Sequence, residues 1–178
     1  NNAYKEAFHL NPSSLEVLIN LSLVLGEAGL YEEAALYLEK AISLNPNIYI
    51  AHLNLGVVYD KMGKFEKAKE CILNAKKLNP QAPDVLLNLG IVCQKFDNGL
   101  EESLEYFNIL IGQDDKNAAY FFNRGVTLER LTRLPEAIAD YESAIHFSDP
   151  ISSIQPRWNR ALSLLCNGDL QRGWKEYE

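Results

Sequence analysis

The stretch LNLGV, at Leu53–Val57, decides the fold because variants of it recur at a nearly constant interval. The related stretches are INLSL at Ile19–Leu23, LNLGI at Leu87–Ile91, FNRGV at Phe122–Val126 and WNRAL at Trp158–Leu162. Their asparagines, which are 34, 34, 35 and 36 residues apart, are Asn20, Asn54, Asn88, Asn123 and Asn159. Asparagine is a mediocre helix former because its side chain competes with the backbone for hydrogen bonds. Five such placements indicate an internal repeat that uses this residue.

Each repeat predicts a pair of helices. In the first helix the eighth position is always small, which allows a neighbouring helix to approach closely. Its occupants are Ser22, Gly56, Gly90, Gly125 and Ala161. In the second helix, residues four and three apart predict a single buried stripe. The stripe consists of Ala34, Leu38, Ala41, Ala68, Ile72, Ala75, Ser103, Phe107, Leu110, Ala137, Tyr141 and Ala144.

Turn and stop signals separate the predicted helices. The turns within repeats are marked by Gly29, Gly63, Asp97-Asn98-Gly99, Thr132 and Asn167-Gly168. Between repeats, Pro46 and Pro80 bar the preceding residue from helical geometry. The pattern has departures: Arg124 and Arg160 replace leucine at the seventh position, the third repeat has an extra turn residue, and the link 148–156 is long.

A helix pair of about 34 residues, with small residues at its eighth, twentieth and twenty-seventh positions, resembles the tetratricopeptide repeat. The resemblance covers the whole chain and implies an all-α fold, a right-handed α-solenoid of eleven antiparallel helices. Residues 1–14 are expected to hold the trailing helix of a preceding repeat, at Ala3–Leu10. Full repeats are expected at 15–48, 49–82, 83–117 and 118–153, with a truncated fifth at 154–178. We expect these to form one array in which neighbouring units stabilise each other.

The composition argues against several classes of function. With 17 basic and 24 acidic residues the net charge is −7, which makes nucleic acid a poor partner. No apolar run approaches the roughly 20 residues of a membrane span, so we expect no membrane partner. Cys71, Cys93 and Cys166 lack metal-ligand spacing and predict small packing residues in a reducing, cytoplasmic setting. No catalytic, cofactor or metal constellation is evident, so we expect a chain that is not an enzyme and needs no cofactor.

In the family that the chain resembles, positions two, five, six, nine, twelve and thirteen of the first helices line a concave groove. The resemblance implies a groove with asparagine at position six, an apolar ladder at position five and cations at position thirteen. The residues so assigned to peptide binding are Asn20, Asn54, Asn88, Asn123, Asn159, Leu53, Leu87, Phe122, Trp158, Lys61, Lys95 and Arg130. The carboxylate clamp of some relatives is not expected, because Glu16, Ile50 and Asp84 stand at its position two.

The sequence leaves an alternative open for each assignment. The asparagines could bond to neighbouring helices instead of a ligand. Phe122 and Trp158 could pack between helices. Lys61, Lys95 and Arg130 could form a solvated face paired locally with acidic neighbours, Asp60 and Glu129.

We expect the chain to be a non-catalytic scaffold that binds an extended peptide in this groove. The asparagine ladder is also similar to the repeat arm of O-linked N-acetylglucosamine transferases. The ending, residues 158–178, is similar to the last repeat of bacterial proteins that join such arrays to glycosyltransferase-like domains. A substrate-recruiting arm of a transferase and a self-assembly module are therefore alternative functions.

Both ends of the chain look cut, since each lies inside a predicted second helix. Uncovered apolar residues at such ends favour association. We therefore expect weak end-to-end homo-association through Tyr4, Ala7, Phe8, Trp174 and Tyr177.

Overall fold

The computed structural model describes residues 14–177 and is helical throughout that range, without any strand. Its ten α-helices are α1 Leu15–Glu27, α2 Tyr31–Leu44, α3 Tyr49–Lys61, α4 Phe65–Leu78, α5 Pro83–Cys93, α6 Leu100–Gln113, α7 Ala118–Arg130, α8 Leu134–Phe147, α9 Ile154–Cys166 and α10 Leu170–Tyr177. These are the helices that the repeat predicted for this part of the chain. The eleventh, at Ala3–Leu10, lies outside the described residues.

The chain forms two compact units, Asn1–Val92 and Cys93–Glu178. In the N-terminal unit, α1 to α4 pack in succession, and α1 also contacts α3. In the C-terminal unit, α6 to α10 pack in succession, and α7 also contacts α9. First helices therefore stack on first helices, with second helices beside them. This is the packing of an α-solenoid built from helix pairs.

The core follows the stripe that the sequence predicted on the second helices. All twelve of its residues are completely buried, including the largest, Phe107 and Tyr141. The stripe works because residues three and four apart share one face of a helix. One line of side chains on each second helix therefore supplies the contact with the first helices.

Small residues at the eighth position bring first and second helices together, as predicted. A Cβ atom added at Gly56 would lie 2.3 Å from Cγ1 of Ile72 and 3.0 Å from the carbonyl oxygen of Ala68. One added at Gly125 would lie 2.7 Å from the ring of Tyr141. The contacts with Ile72 and Tyr141 are too short for real atoms, so these sites have no room for a side chain.

The turn inside four of the repeats is a Schellman motif. The residue after the helix has a positive φ, at Gly29 (76°), Gly63 (72°), Thr132 (59°) and Gly168 (87°). The next N–H then donates to the carbonyl five residues earlier, as Leu30 does to Leu25 at 2.9 Å. The third repeat, with its extra turn residue, differs. Its first helix ends early, at Cys93, and a 3₁₀-helix, Asp97–Gly99, leads into α6.

The two arginines at the seventh position are accommodated by ion pairs. Arg124 donates through Nε and Nη2 to the two carboxylate oxygens of Asp140, each at 2.7 Å. Arg160 donates through Nε to Glu176 at 2.8 Å. In both cases the acid stands 16 residues further on, in the second helix of the same repeat. The departure from leucine thus changes the contact between the two helices without breaking it.

The cysteines fit the sequence interpretation only in part. Cys93 is buried and Cys71 is half-buried, whereas Cys166 is exposed and so is not a packing residue. Burial, helped by the nearby Glu70 carboxylate, raises the pKa of the Cys71 thiol to about 11. Among the described residues, no helix is long and apolar enough to cross a membrane.

Candidate binding surface

The repeated asparagines divide into two groups by their hydrogen bonds. Asn88 and Asn123 each donate through Nδ2 to the carbonyl oxygen four residues earlier in their own helix, at 2.8 Å. Asn159 donates to the hydroxyl of Tyr141 at 3.4 Å and accepts from Gln155 at 2.9 Å. These three amides are at least partly used by the protein, as the alternative interpretation allowed.

Asn20 and Asn54 form the second group. Within residues 14–177 their side-chain amides have no hydrogen-bond partner, although both residues are partly exposed. An amide has two donors and an acceptor that can each pair with a peptide unit. These two asparagines, both in the N-terminal unit, therefore keep their full bonding capacity for a ligand.

A cavity of about 300 Å³ opens between α1 and α3 of the N-terminal unit. Its apolar lining comes from Leu23, Tyr31, Leu38, Val57 and Val58, and its polar lining from Ser22, Asn54, Glu27 and Lys61. Leu23 is 47% exposed, which is unusual for a leucine in a packed array. The volume is at the lower end of the range for ligand pockets. The cavity offers an apolar recess next to an unpaired amide.

Gly26 accounts for this cavity, which it also lines. It occupies the twelfth position, where the later repeats carry Asp60, Gln94, Glu129 and Leu165. A Cβ atom added at Gly26 would meet nothing within 4 Å. The space that a larger residue would fill is therefore left open in the first repeat.

In the C-terminal unit, the larger twelfth residues bond to the next first helix instead. Gln94 donates to the hydroxyl of Thr127 at 2.8 Å and to the carbonyl of Asn123 at 3.0 Å. Ser163 donates to Glu129 at 3.3 Å, and Tyr141 donates to the same carboxylate at 2.7 Å. The pairs Gln94–Thr127 and Glu129–Ser163 each join position twelve to a hydroxyl at position ten of the next repeat. These contacts tie first helices to each other and occupy the polar groups.

Asp60 shows what happens where that hydroxyl is missing. One of its carboxylate oxygens, Oδ1, is buried without a hydrogen-bond partner among the described residues. Position ten of the next repeat is Val92, which has nothing to donate. The orphaned oxygen is therefore a consequence of an apolar residue at the receiving position.

The ladder at the fifth position is unevenly available. Leu53 is only 3% exposed, so its side chain belongs to the core and has little surface for a ligand. Leu87 is half-buried. Phe122 packs against the core of the C-terminal unit, with its ring 6.1 Å from that of Tyr141. It also lines a surface recess of about 370 Å³ at the start of α7 and α9.

Trp158 is the most exposed residue of that ladder, at 46%. Its ring lies 4.9 Å from that of Tyr177, which in turn lies 5.7 Å from Trp174. Trp174 and Tyr177, which the sequence placed at an uncovered end, are 56% and 44% exposed. Their expected counterparts Tyr4, Ala7 and Phe8 lie outside the described residues.

The three cations at position thirteen are all exposed but differ in their contacts. Arg130 donates to the carbonyl oxygen of Gln94 and lies 3.5 Å from the Asp97 carboxylate, rather than pairing with its neighbour Glu129. Lys61 lines the cavity beside Asn54. Lys95 also lies on the surface. Arg130 is thus anchored by the turn of the preceding repeat.

Three sequence models described as tetratricopeptide repeat match the chain, at residues 15–48, 49–81 and 97–150. Together they span well over half of it. The chain belongs to the tetratricopeptide-repeat family.

Solved tetratricopeptide-repeat structures match the fold over nearly the whole chain. YrrB, titled a TPR protein with an unusual peptide-binding site, matches with a TM-score of 0.74 at 18% identity, covering 98% of this chain and 88% of YrrB. MamA from Desulfovibrio magneticus RS-1, from residue 41 to its end, matches with a TM-score of 0.82 at 16% identity, covering 92% and 90%. A thermophilic TPR protein of Thermus thermophilus matches with a TM-score of 0.74 at 20% identity, covering 92% of this chain and 88% of that protein's relative length class is not needed for the comparison, since its own coverage is 87–88%.

At these identities the likeness to solved structures concerns the fold alone. A search of curated proteins gave no match. The comparisons support the tetratricopeptide-repeat assignment and add nothing to the predicted likeness to glycosyltransferase-linked arrays.

Sequence reasoning missed the residues that create the N-terminal cavity, Leu23, Gly26 and Tyr31. The available signal was a glycine at position twelve, where the other repeats carry a larger residue.

Proposed function

We propose that this chain is a non-catalytic scaffold that binds an extended peptide along its first helices. In the N-terminal unit, the cavity at Leu23 and Val57 takes one apolar side chain of the peptide. Asn20 and Asn54 bond to the peptide backbone beside it. The observation that carries the proposal is an apolar recess lined by an asparagine whose amide has no partner among the described residues.

The asparagines and the cavity contribute in different ways. A hydrogen bond stabilises a complex by about 1 kcal/mol net, while ordering one peptide residue costs about 1–2 kcal/mol. Amide bonds alone are therefore close to neutral, and they set the extended geometry whatever the side chains of the peptide. Burying one apolar side chain contributes roughly 1.5–3 kcal/mol. The cavity therefore supplies the affinity, with Phe122 and Trp158 as further apolar contacts in the C-terminal unit.

A peptide selected from a random displayed library on the immobilised chain provides the probe. Its affinity, measured by fluorescence anisotropy, is compared between the wild type and Gly26→Leu. The new side chain fills the cavity without a clash at its Cβ atom, so the variant folds. We expect its affinity to fall by about tenfold or more.

The matched control is Leu36→Ser, which alters another exposed leucine of the N-terminal unit outside the cavity. We expect it to bind like the wild type. Equal affinity of Gly26→Leu and the wild type would contradict the cavity assignment. Equal affinity of a folded Asn20→Ala/Asn54→Ala variant would show that these asparagines serve only the helices.

The other functions suggested by the sequence remain predictions. A transferase arm requires a catalytic domain in the same polypeptide. Self-assembly through exposed apolar residues requires a molar mass that rises with concentration in light scattering.

A further inference from the structure

Four cations of the C-terminal unit converge on one cavity of about 370 Å³ between α9 and α10. Arg157 and Arg160 come from α9, and Arg172 and Lys175 from α10, with Glu176 also in the lining. Residues three apart lie on one side of a helix, so each helix presents a pair of cations to the same space. This local concentration contrasts with the net charge of −7 of the whole chain.

The four cations are not all neutralised. Arg160 bonds to Glu176 at 2.8 Å, and Arg172 lies 3.1 Å from Glu142 and 3.6 Å from Asp169. Arg157 donates only to the hydroxyl of Ser153, at 3.2 Å. Neither Arg157 nor Lys175 pairs with a carboxylate of the described residues. Two positive charges therefore remain uncompensated in the cavity.

This cationic side is separate from the surface proposed for the extended peptide. With a period of 3.6 residues, Arg157 and Arg160 lie on the side of α9 that carries the buried Ala161 and Leu164. Trp158 and Leu162 lie on the other side, where Trp158 contacts Tyr177. The two helices thus have an aromatic side and a cationic side.

We infer that this cationic cavity binds an acidic segment of a partner protein through its carboxylates. The pairing already present indicates the ligand chemistry, because the guanidinium of Arg160 is held by the carboxylate of Glu176. Arginine forks match carboxylate geometry, and Lys175 adds a mobile point charge. A nucleic acid is disfavoured, since the cavity is one small patch on an acidic chain.

The probe is a fluorescein-labelled octaglutamate peptide, titrated at low ionic strength, where screening is weak. The test variant is Arg157→Gln/Lys175→Gln, which removes the two cations without a carboxylate partner. Its control is Lys67→Gln/Lys77→Gln, which changes the net charge equally on α4. We expect the test variant to lose about tenfold in affinity and the control to lose less than about twofold.

A second variant tests the role of Glu176. Glu176→Gln frees Arg160 and is expected to strengthen octaglutamate binding several-fold, beyond any effect of Glu33→Gln, an exposed change of the same charge. Equal losses in the two double variants would reduce the effect to net charge and overturn the proposal. So would the absence of wild-type binding, or displacement of the peptide by inorganic phosphate or an oligonucleotide more readily than by unlabelled octaglutamate.

Discussion

Thr132 holds a backbone conformation that three of the other repeats assign to glycine. Its φ of 59° is the only positive value at a non-glycine among the described residues. A left-handed conformation costs an L-residue about 1–2 kcal/mol, and glycine returns roughly 0.5–1 kcal/mol of that as chain entropy. We therefore expect Thr132→Gly to raise the free energy of unfolding by about 0.5–1 kcal/mol.

Urea unfolding of the purified chain measures this change. Gly63→Thr, the reciprocal substitution at the equivalent turn, is expected to lower the free energy by a similar amount. A neutral or destabilising Thr132→Gly would mean that the hydroxyl bond from Thr132 to the Leu131 carbonyl, at 2.6 Å, outweighs the strain.

Single residues such as these mark where sequence patterns lose their power. Gly29 and Gly63 are turn signals with a mechanism, because glycine adopts positive φ at no steric cost. Thr132 was placed correctly in a turn only through the repeat frame, and its strain was not foreseen. The ion pairs of Arg124 and Arg160 were also missed, although a carboxylate 16 residues later was readable in both repeats.

The contact between the two helices of a repeat depends on the absence of a side chain at position eight. In Gly56→Ala the new Cβ atom would lie 2.3 Å from Ile72 and 3.0 Å from a backbone oxygen. Overpacking of this kind costs about 1–3 kcal/mol. We expect a lower midpoint in thermal unfolding and a less cooperative transition, since neighbouring repeats are coupled.

Gly26→Ala is the matched control, because it places the same methyl group in a helix where nothing lies within 4 Å. Alanine is a better helix former than glycine by about 1 kcal/mol, so this variant should be at least as stable as the wild type. An unchanged melting curve for Gly56→Ala would count against the close helix contact.

The pair Arg124–Asp140 takes over a contact made by apolar residues elsewhere. Since the Asp140 side chain is only 7% exposed, Arg124→Leu leaves a nearly buried carboxylate without its partner. We expect this variant to lose about 3 kcal/mol of stability in urea unfolding.

The double variant Arg124→Leu/Asp140→Tyr recreates the residues of the first repeat, Leu21 and Tyr37, which belong to one core cluster. We expect it to recover most of the loss. Failure to recover, with the single variant unaffected, would contradict the view that the ion pair stands in for apolar packing.

Helices were the most predictable level of this structure. The stripe of the second helices and the stops that follow it depend on residue type and spacing, which are visible in one sequence. The third repeat was less predictable, because the extra turn residue forms a 3₁₀-helix, Asp97–Gly99, and shortens α5. An insertion reveals that a turn changes without revealing how its hydrogen bonds rearrange.

The repeat array and its family followed from the sequence, whereas the candidate site followed only in part. Residue type directed attention to Phe122 and Trp158 as anchors, in the C-terminal unit. The apolar cavity lies instead in the N-terminal unit, because Gly26 leaves space there. Cavities depend on what is missing between neighbouring helices, which a search for chemically distinctive residues does not detect. Asn54 was assigned from the sequence and lines the cavity, so the two lines of reasoning meet there.

Chemical-shift mapping of a peptide-bound complex tests the proposed binding surface. The chain, labelled at leucine and valine methyls and at asparagine side-chain amides, is titrated with a peptide selected from the random library. We predict that the methyl signals of Leu23 and Val57 and the amide signals of Asn20 and Asn54 shift, while the methyls of Leu36 stay in place. Shifts centred on Leu36, with Leu23 and Asn54 unmoved at saturation, would contradict binding at the first helices.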